Sequence, residues 1–188
     1  MRLAGALLLV LLAALPVAAL ERSYAGEGVA FLRTSELPLP VYRWPGVSRI
    51  AEVPVSRLPR LQQVAAPPGE AAVAVHARRG EWLLVAYDEA GREGWVQETR
   101  GRYQTWERFL PGRTLRVLPG LSSAACVTRS GASDEEQAAG SLKAETRFVA
   151  GELREDWVSA AGGEVAGWFR WRDPNGKLTV RLQGESNR

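Results

Sequence analysis

A tryptophan strand, a short turn and a Gly-Trp strand occur twice in this chain, and no other feature constrains its fold as much. The first occurrence is GEWLLVAYDEAGREGWV at 80–96, the second EDWVSAAGGEVAGWF at 155–169. Trp82 and Trp157 stand 75 residues apart, and the pairs Gly94-Trp95 and Gly167-Trp168 stand 73 apart. Upstream, VYRWPGVS at 41–48 matches LRVLPGLS at 115–122 at an offset of 74, so that Pro45-Gly46 answers Pro119-Gly120. Three landmarks in one order at nearly one offset predict two copies of a unit of about 70 residues.

Each unit reads as β. In Trp82–Ala86 alternate side chains point to opposite faces and both faces are apolar, the pattern of a strand inside a small closed barrel. Asp88-Glu89-Ala90-Gly91 predicts a four-residue hairpin loop. Gly162-Gly163 predicts a tighter two-residue turn, which accounts for the two missing residues. Asp173-Pro174-Asn175-Gly176 predicts a turn, after which KLTVRL closes the second unit. RYQTWERFL at 102–110 is expected to close the first, although its Tyr103, Trp106 and Phe109 also fit helical spacing. The best local helix start is Ser133 with Glu136, enough for a turn or two. The acidic triplet there lacks the alternating oxygens and central Gly of a calcium loop, and reads as a solvated loop.

These residues resemble the bacterial SH3-like domain. Its C-terminal half typically carries a Gly-Asp-Trp strand, a hairpin and a Gly-Trp-Val strand, and its first strand often ends in a turn rich in Pro, Gly and Ser, as in WPGVS and LPGLS here. The resemblance covers residues 37–110 and 111–183. It departs from the family in lacking the Asn-Val-Arg signature of the first strand and in its loops at 55–63 and 130–140. The acidic Tyr-rich loop of eukaryotic relatives is absent too, so the resemblance implies the fold and not proline-rich peptide specificity. What it implies is an all-β chain of two small SH3-like five-stranded barrels in tandem. In exported bacterial proteins such barrels commonly bind cell-wall peptides or another protein.

The N-terminus agrees with export. Arg2, the leucine-rich run from Leu3, the break at Pro16 and Val17-x-Ala19 match a signal peptide over 1–19 cleaved after Ala19, with Ala25 as a weaker site. Leu3 to Leu20 is 18 apolar residues, so an uncleaved membrane anchor is the alternative. An N-terminal extension over 20–36 and a C-terminal tail over 184–188 flank the two units. The expected location is periplasmic or secreted. The formal charge of +3 is too small an excess for a nucleic-acid partner. Cys126 is the sole cysteine, which rules out an internal disulfide, and its small uncharged neighbours suit a buried thiol.

Catalysis is hard to build from these residues. His76 is the only histidine, and with Cys126 it would need an orienting third group and an activating position for the thiol. One His and one Cys supply too few typical ligands for a metal, and no cofactor is implied. The expectation is a non-catalytic module that binds a cell-wall peptide or an envelope protein. A small wall hydrolase with an unrecognised site is the alternative. Because Trp82, Trp95, Trp157 and Trp168 recur, they are expected to serve the two cores. Trp44, Trp106 and Trp171 have no Trp counterpart and are expected on an exposed aromatic surface. Five arginines against two glutamates between 98 and 116 add positive charge. The expected binding residues are therefore Tyr103, Trp106, Arg108 and Arg113 at the handover between units, with Trp44 and Trp171.

Overall fold

The computed structural model describes residues 25–34, 37–98, 101–161 and 165–182, and they are all-β. The expected signal peptide, the Gly162-Gly163 turn and the C-terminal tail lie outside the described residues. Eight strands build the first half: β1 (Gly28–Arg33), β2 (Leu39–Trp44), β3 (Val47–Val53), β4 (Glu70–Val75), β5 (Ala77–Arg79), β6 (Trp82–Ala86), β7 (Glu93–Gln97) and β8 (Gly101–Thr105). The second half has β9 (Thr114–Val117), β10 (Val127–Arg129), β11 (Ala138–Ser141), β12 (Arg147–Arg154), β13 (Trp157–Ala161), β14 (Trp168–Arg170) and β15 (Val180–Leu182). One helical turn, α1 (Trp106–Phe109), joins the halves.

The pairing order is the same in both halves. In the first, β1 pairs with β4 and β8, β5 with β6, β6 with β7, β7 with β2, and β2 with β3. In the second, β9 pairs with β12 and β15, β12 with β13, β13 with β14, β14 with β10, and β10 with β11. Registers agree at the landmark strands: Leu84 faces Trp95 as Ser159 faces Trp168, and Arg79 faces Trp82 as Arg154 faces Trp157.

This pairing corrects one expected match. The segment at 115–122 begins on β9, which pairs as β1 does and not as β2 does. Ala30, opposite Val73 and Tyr103, corresponds to Leu115, opposite Phe148 and Leu182. The offset on this strand is 85, whereas Trp82 and Trp157 differ by 75. The stretch from β9 to β12 is ten residues shorter than that from β1 to β4, and the two Pro-Gly turns answer each other in sequence but not in pairing.

The two expected five-stranded barrels are not seen: among the described residues none of the three sheets closes. The free edge of β7 is taken by β2, and that of β14 by β10, so the five-stranded and seven-stranded sheets each run on into a hairpin where closure would need a different partner.

The segment expected as an N-terminal extension supplies β1, whose two faces are both buried. Val29 and Phe31 join one core, and Ala30 and Leu32 the other. The second core lies within the first half, between β1 and the inner faces of β2, β4, β6 and β7. The first spans both halves. It joins Trp106, Phe109 and Leu110 to Leu115, Phe148, Phe169, Trp171 and Val180. RYQTWERFL satisfies both readings of its spacing, as strand β8 followed by α1.

Both expected turns form. The Gly91 amide donates to the Asp88 carbonyl at 2.7 Å, and the Gly176 amide to the Asp173 carbonyl at 2.8 Å. The helix expected after Ser133 does not form. Ser133 Oγ accepts from the Glu135 amide, and the chain then leaves the turn to make β11 with β10, a ladder that outweighs one helical turn. Its acidic residues are engaged: Asp134 pairs with Arg170, and Ser130 Oγ donates to Glu136.

Candidate binding face

The pleat decides which residues the first half offers to solvent. On β6, Leu83 and Val85 are fully buried in the core, so Trp82, Leu84 and Ala86 take the outer face. On β7, Val96 points inward, which turns Trp95 outward opposite Leu84. Tyr42 of β2 faces Trp95 in register, and at the hairpin tip Trp44 faces Val47. The outer face therefore carries Tyr42, Trp44, Trp82 and Trp95 side by side; Trp44 is exposed and Tyr42 and Trp82 are partly buried, whereas Trp95 is only 6% exposed, buried as expected of it.

Gly94 makes the arrangement possible. A Cβ built there would lie 2.2 Å from Val41 Cγ1, so only glycine lets β2 cross β7 this closely. In the second half, Gly167 has φ of 102°, and a Cβ on it would meet the Arg129 carbonyl oxygen at 2.5 Å. The Gly-Trp motif thus couples a strand crossing to an outward indole, in both halves.

The face has defined geometry. The Tyr42 and Trp82 rings meet edge-on with centroids 5.3 Å apart. The Arg79 guanidinium lies over Trp95 at 5.5 Å, a contact worth about 0.5–1 kcal/mol at an exposed site. Trp44 is 56% exposed and Val47 59%. Arg43 and Arg79, both exposed, make no ion pair among the described residues, whereas Arg49 pairs with Glu52. The face offers flat apolar area beside free guanidiniums, a surface that can stack an extended chain and hold its carboxylates.

The residues expected to bind fall in different places. Trp44 is exposed as expected. Trp106 and Trp171, expected on the surface, are 1% and 0% exposed. Their rings meet at 5.1 Å between the two halves, where Trp106 Nε1 donates to the Ala25 carbonyl and Trp171 Nε1 to the Glu155 carbonyl. Each lacks a Trp counterpart because it fills a junction that exists once.

Tyr103 packs on the inner core of the first half, under Arg78. Burial first, and Glu27 next, push its hydroxyl above the ordinary tyrosine pKa. Arg113 is turned back on α1, donating to the Phe109 carbonyl at 2.7 Å and covering the Phe109 ring. Arg108 is exposed. The expected basic patch is dispersed, since Arg102 pairs with Glu70, Glu98 with Arg78, and Arg116 with Glu145, while Arg100 lies outside the described residues.

His76 has a partner that sequence reading missed, since its Nδ1 lies 2.6 Å from Glu93 Oε1. It sits where β4 gives way to β5, on a cleft of about 280 Å³ lined also by Arg60, Gln62, Asp88 and Glu89. No Ser, Thr or Cys lines that cleft. Cys126 lies partly buried in the 3-10 turn Ala124–Cys126. Among the described residues, no three His, Cys, Asp or Glu side chains are grouped to hold a metal.

No family model matches the chain, and no curated protein matches it. Among solved structures it is similar to one described as "Endolysin LysPBC5 CBD", at 11% identity and a TM-score of 0.25, covering 86% of this chain and 98% of that one. A likeness this loose carries no functional argument.

Proposed function

We propose that this chain is an exported, non-catalytic module of two SH3-like units that binds a cell-wall peptide or an envelope protein through the outer aromatic face of its first unit. The observation that carries the reading is the outer-face cluster of exposed Trp44 with partly buried Tyr42 and Trp82, rimmed by Arg43 and Arg79. Large apolar rings beside unpaired cations cost solubility and give the cores nothing, which fits a surface kept for a ligand. The SH3-like assignment is supported by the shared pairing order. Each unit has five strands, with β4–β5 and β12 as the long bent ones, and a hairpin inserted after the first.

In this reading the signal is cleaved after Ala19. Cleavage after Ala25 would remove the carbonyl that accepts from Trp106 Nε1 and the amide that donates to Gly176. The test is retention of the purified mature chain on isolated cell wall and on envelope extract. Trp44→Ala and Trp82→Ala should both lose retention while melting as the parent does. A parent chain retained by neither material contradicts the reading.

A small hydrolase is the second reading, and His76 oriented by Glu93 over a cleft is the observation in its favour. That cleft offers no hydroxyl or thiol nucleophile, so the chemistry would need an activated water or one of its carboxylates, Asp88 or Glu89. Release of soluble wall fragments by the parent chain, abolished in a folded His76→Ala variant, would establish it in place of the first.

A further inference from the structure

Three arginines stand directly opposite one another across β12, β9 and β15: Arg147 faces Arg116 in one ladder, and Arg181 faces Arg116 in the next. Their strand neighbours Phe148, Leu115, Val117, Val180 and Leu182 are buried, so the pleat turns all three onto the outer face. Arg147 and Arg181 are exposed and make no ion pair among the described residues. Only Arg116 has a carboxylate, Glu145 Oε2 at 2.6 Å from its Nε, and that buried Nε is close to the acid without the alignment of a hydrogen bond.

Like charges directly opposite in a sheet destabilise it, and here the juxtaposition occurs in two successive ladders with one acid for three cations. The fold gains nothing from it. Adjacent strands are about 4.8 Å apart, so the guanidiniums form a line across the sheet about 10 Å long at its base. Along the strands the row is flanked on one side by Thr114 and Val149, both uncharged, with Val149 41% exposed, and on the other by Glu145. The positive charge is therefore a line and not a broad patch, which matches a chain of successive anions better than the plane of a bilayer. Guanidinium forks fit phosphate oxygens two at a time.

We propose that the Arg147–Arg116–Arg181 row binds a linear phosphate-bearing polymer laid across β12, β9 and β15. The site is on the second half and does not depend on the aromatic face of the first.

The probe is linear inorganic polyphosphate, titrated into the full chain at several salt concentrations. The parent should bind with strong salt dependence. Arg147→Ser with Arg181→Ser leaves the Arg116 and Glu145 pair in place. That double variant should lose roughly tenfold or more in affinity, with the slope of log affinity against log salt reduced by about 2. Its Tm should be equal or higher, since repulsion is relieved, and the matching Arg→Lys pair should retain most of the binding. Trp82→Ala should bind polyphosphate as the parent does, which separates this site from the wall-binding reading. No binding by the parent, unchanged binding by the Ser variant, or preference for anionic phospholipid vesicles at equal phosphate would each overturn the proposal.

Discussion

The two halves share one pairing order and treat the outer face of the tryptophan hairpin differently. In the first half, Trp82 meets the Tyr42 ring edge-on and stays partly exposed, and the hairpin tip beside it leaves Trp44 and Val47 exposed. In the second, Arg170 lies over Trp157 at 4.7 Å and is held by Asp134 and by Asp156, which also pairs with Arg172. Arg154 covers Trp168 at 5.1 Å, as Arg79 covers Trp95. The position facing Trp168 is Arg129, where the first half has Tyr42 opposite Trp95. The difference lies at one pair of indoles: Trp157, under its ion network, is 6% exposed, whereas Trp82 at the equivalent position is left partly exposed, and Trp95 and Trp168 each lie under one arginine. The same scaffold thus serves packing in one copy and presents a surface in the other.

The largest expected effect comes from removing what the halves share. Trp106→Ala or Trp171→Ala opens a cavity in the core that spans both, and Trp106→Ala also strands the buried Ala25 carbonyl, so either should cost about 3–5 kcal/mol. The loss should appear as one cooperative transition by calorimetry and not as melting of one half. Next comes Gly94→Ala, which forces Val41 aside at the strand crossing and should cost about 1–3 kcal/mol in a denaturant melt.

Much of this was legible in the sequence, and the failures have one cause. Hairpin loops, Gly-Trp strands and the DPNG turn are local, and turn chemistry names them directly. Which face of Trp82–Ala86 is the core is not local, because both faces are apolar. That choice is made by β1, about fifty residues upstream in the GVAFLR stretch, where an extension is expected. Trp106 likewise looked like a surface residue beside arginines, yet its burial is set by Trp171 and Ala25, both far along the chain. The lack of a Trp counterpart, which points to the surface for Trp44, Trp106 and Trp171 alike, holds for Trp44 at its hairpin tip and not for the two that fill the junction.

Smaller effects sharpen the contrast between the faces. Trp44→Ala should weaken ligand binding by about 1–3 kcal/mol and change stability by no more than about 0.5 kcal/mol, since most of its surface is already in water. The smallest effect is expected from Asp134→Ala, which loosens the cover over Trp157. An exposed pair of this kind contributes at most about 1 kcal/mol, so the melt should barely move, while indole fluorescence should report greater solvent access. Unchanged fluorescence would mean that the ion network does not cap that face.

The central claim, that the tryptophan strand of the first half is surface and the junction tryptophans are core, is tested most directly by one paired experiment. Melting curves and wall-binding isotherms are recorded for Trp82→Ala and Trp106→Ala beside the parent. The account predicts that Trp82→Ala melts close to the parent and fails to bind, whereas Trp106→Ala melts far earlier. A Trp106→Ala chain that stays folded but fails to bind, beside a Trp82→Ala chain that unfolds, would contradict it.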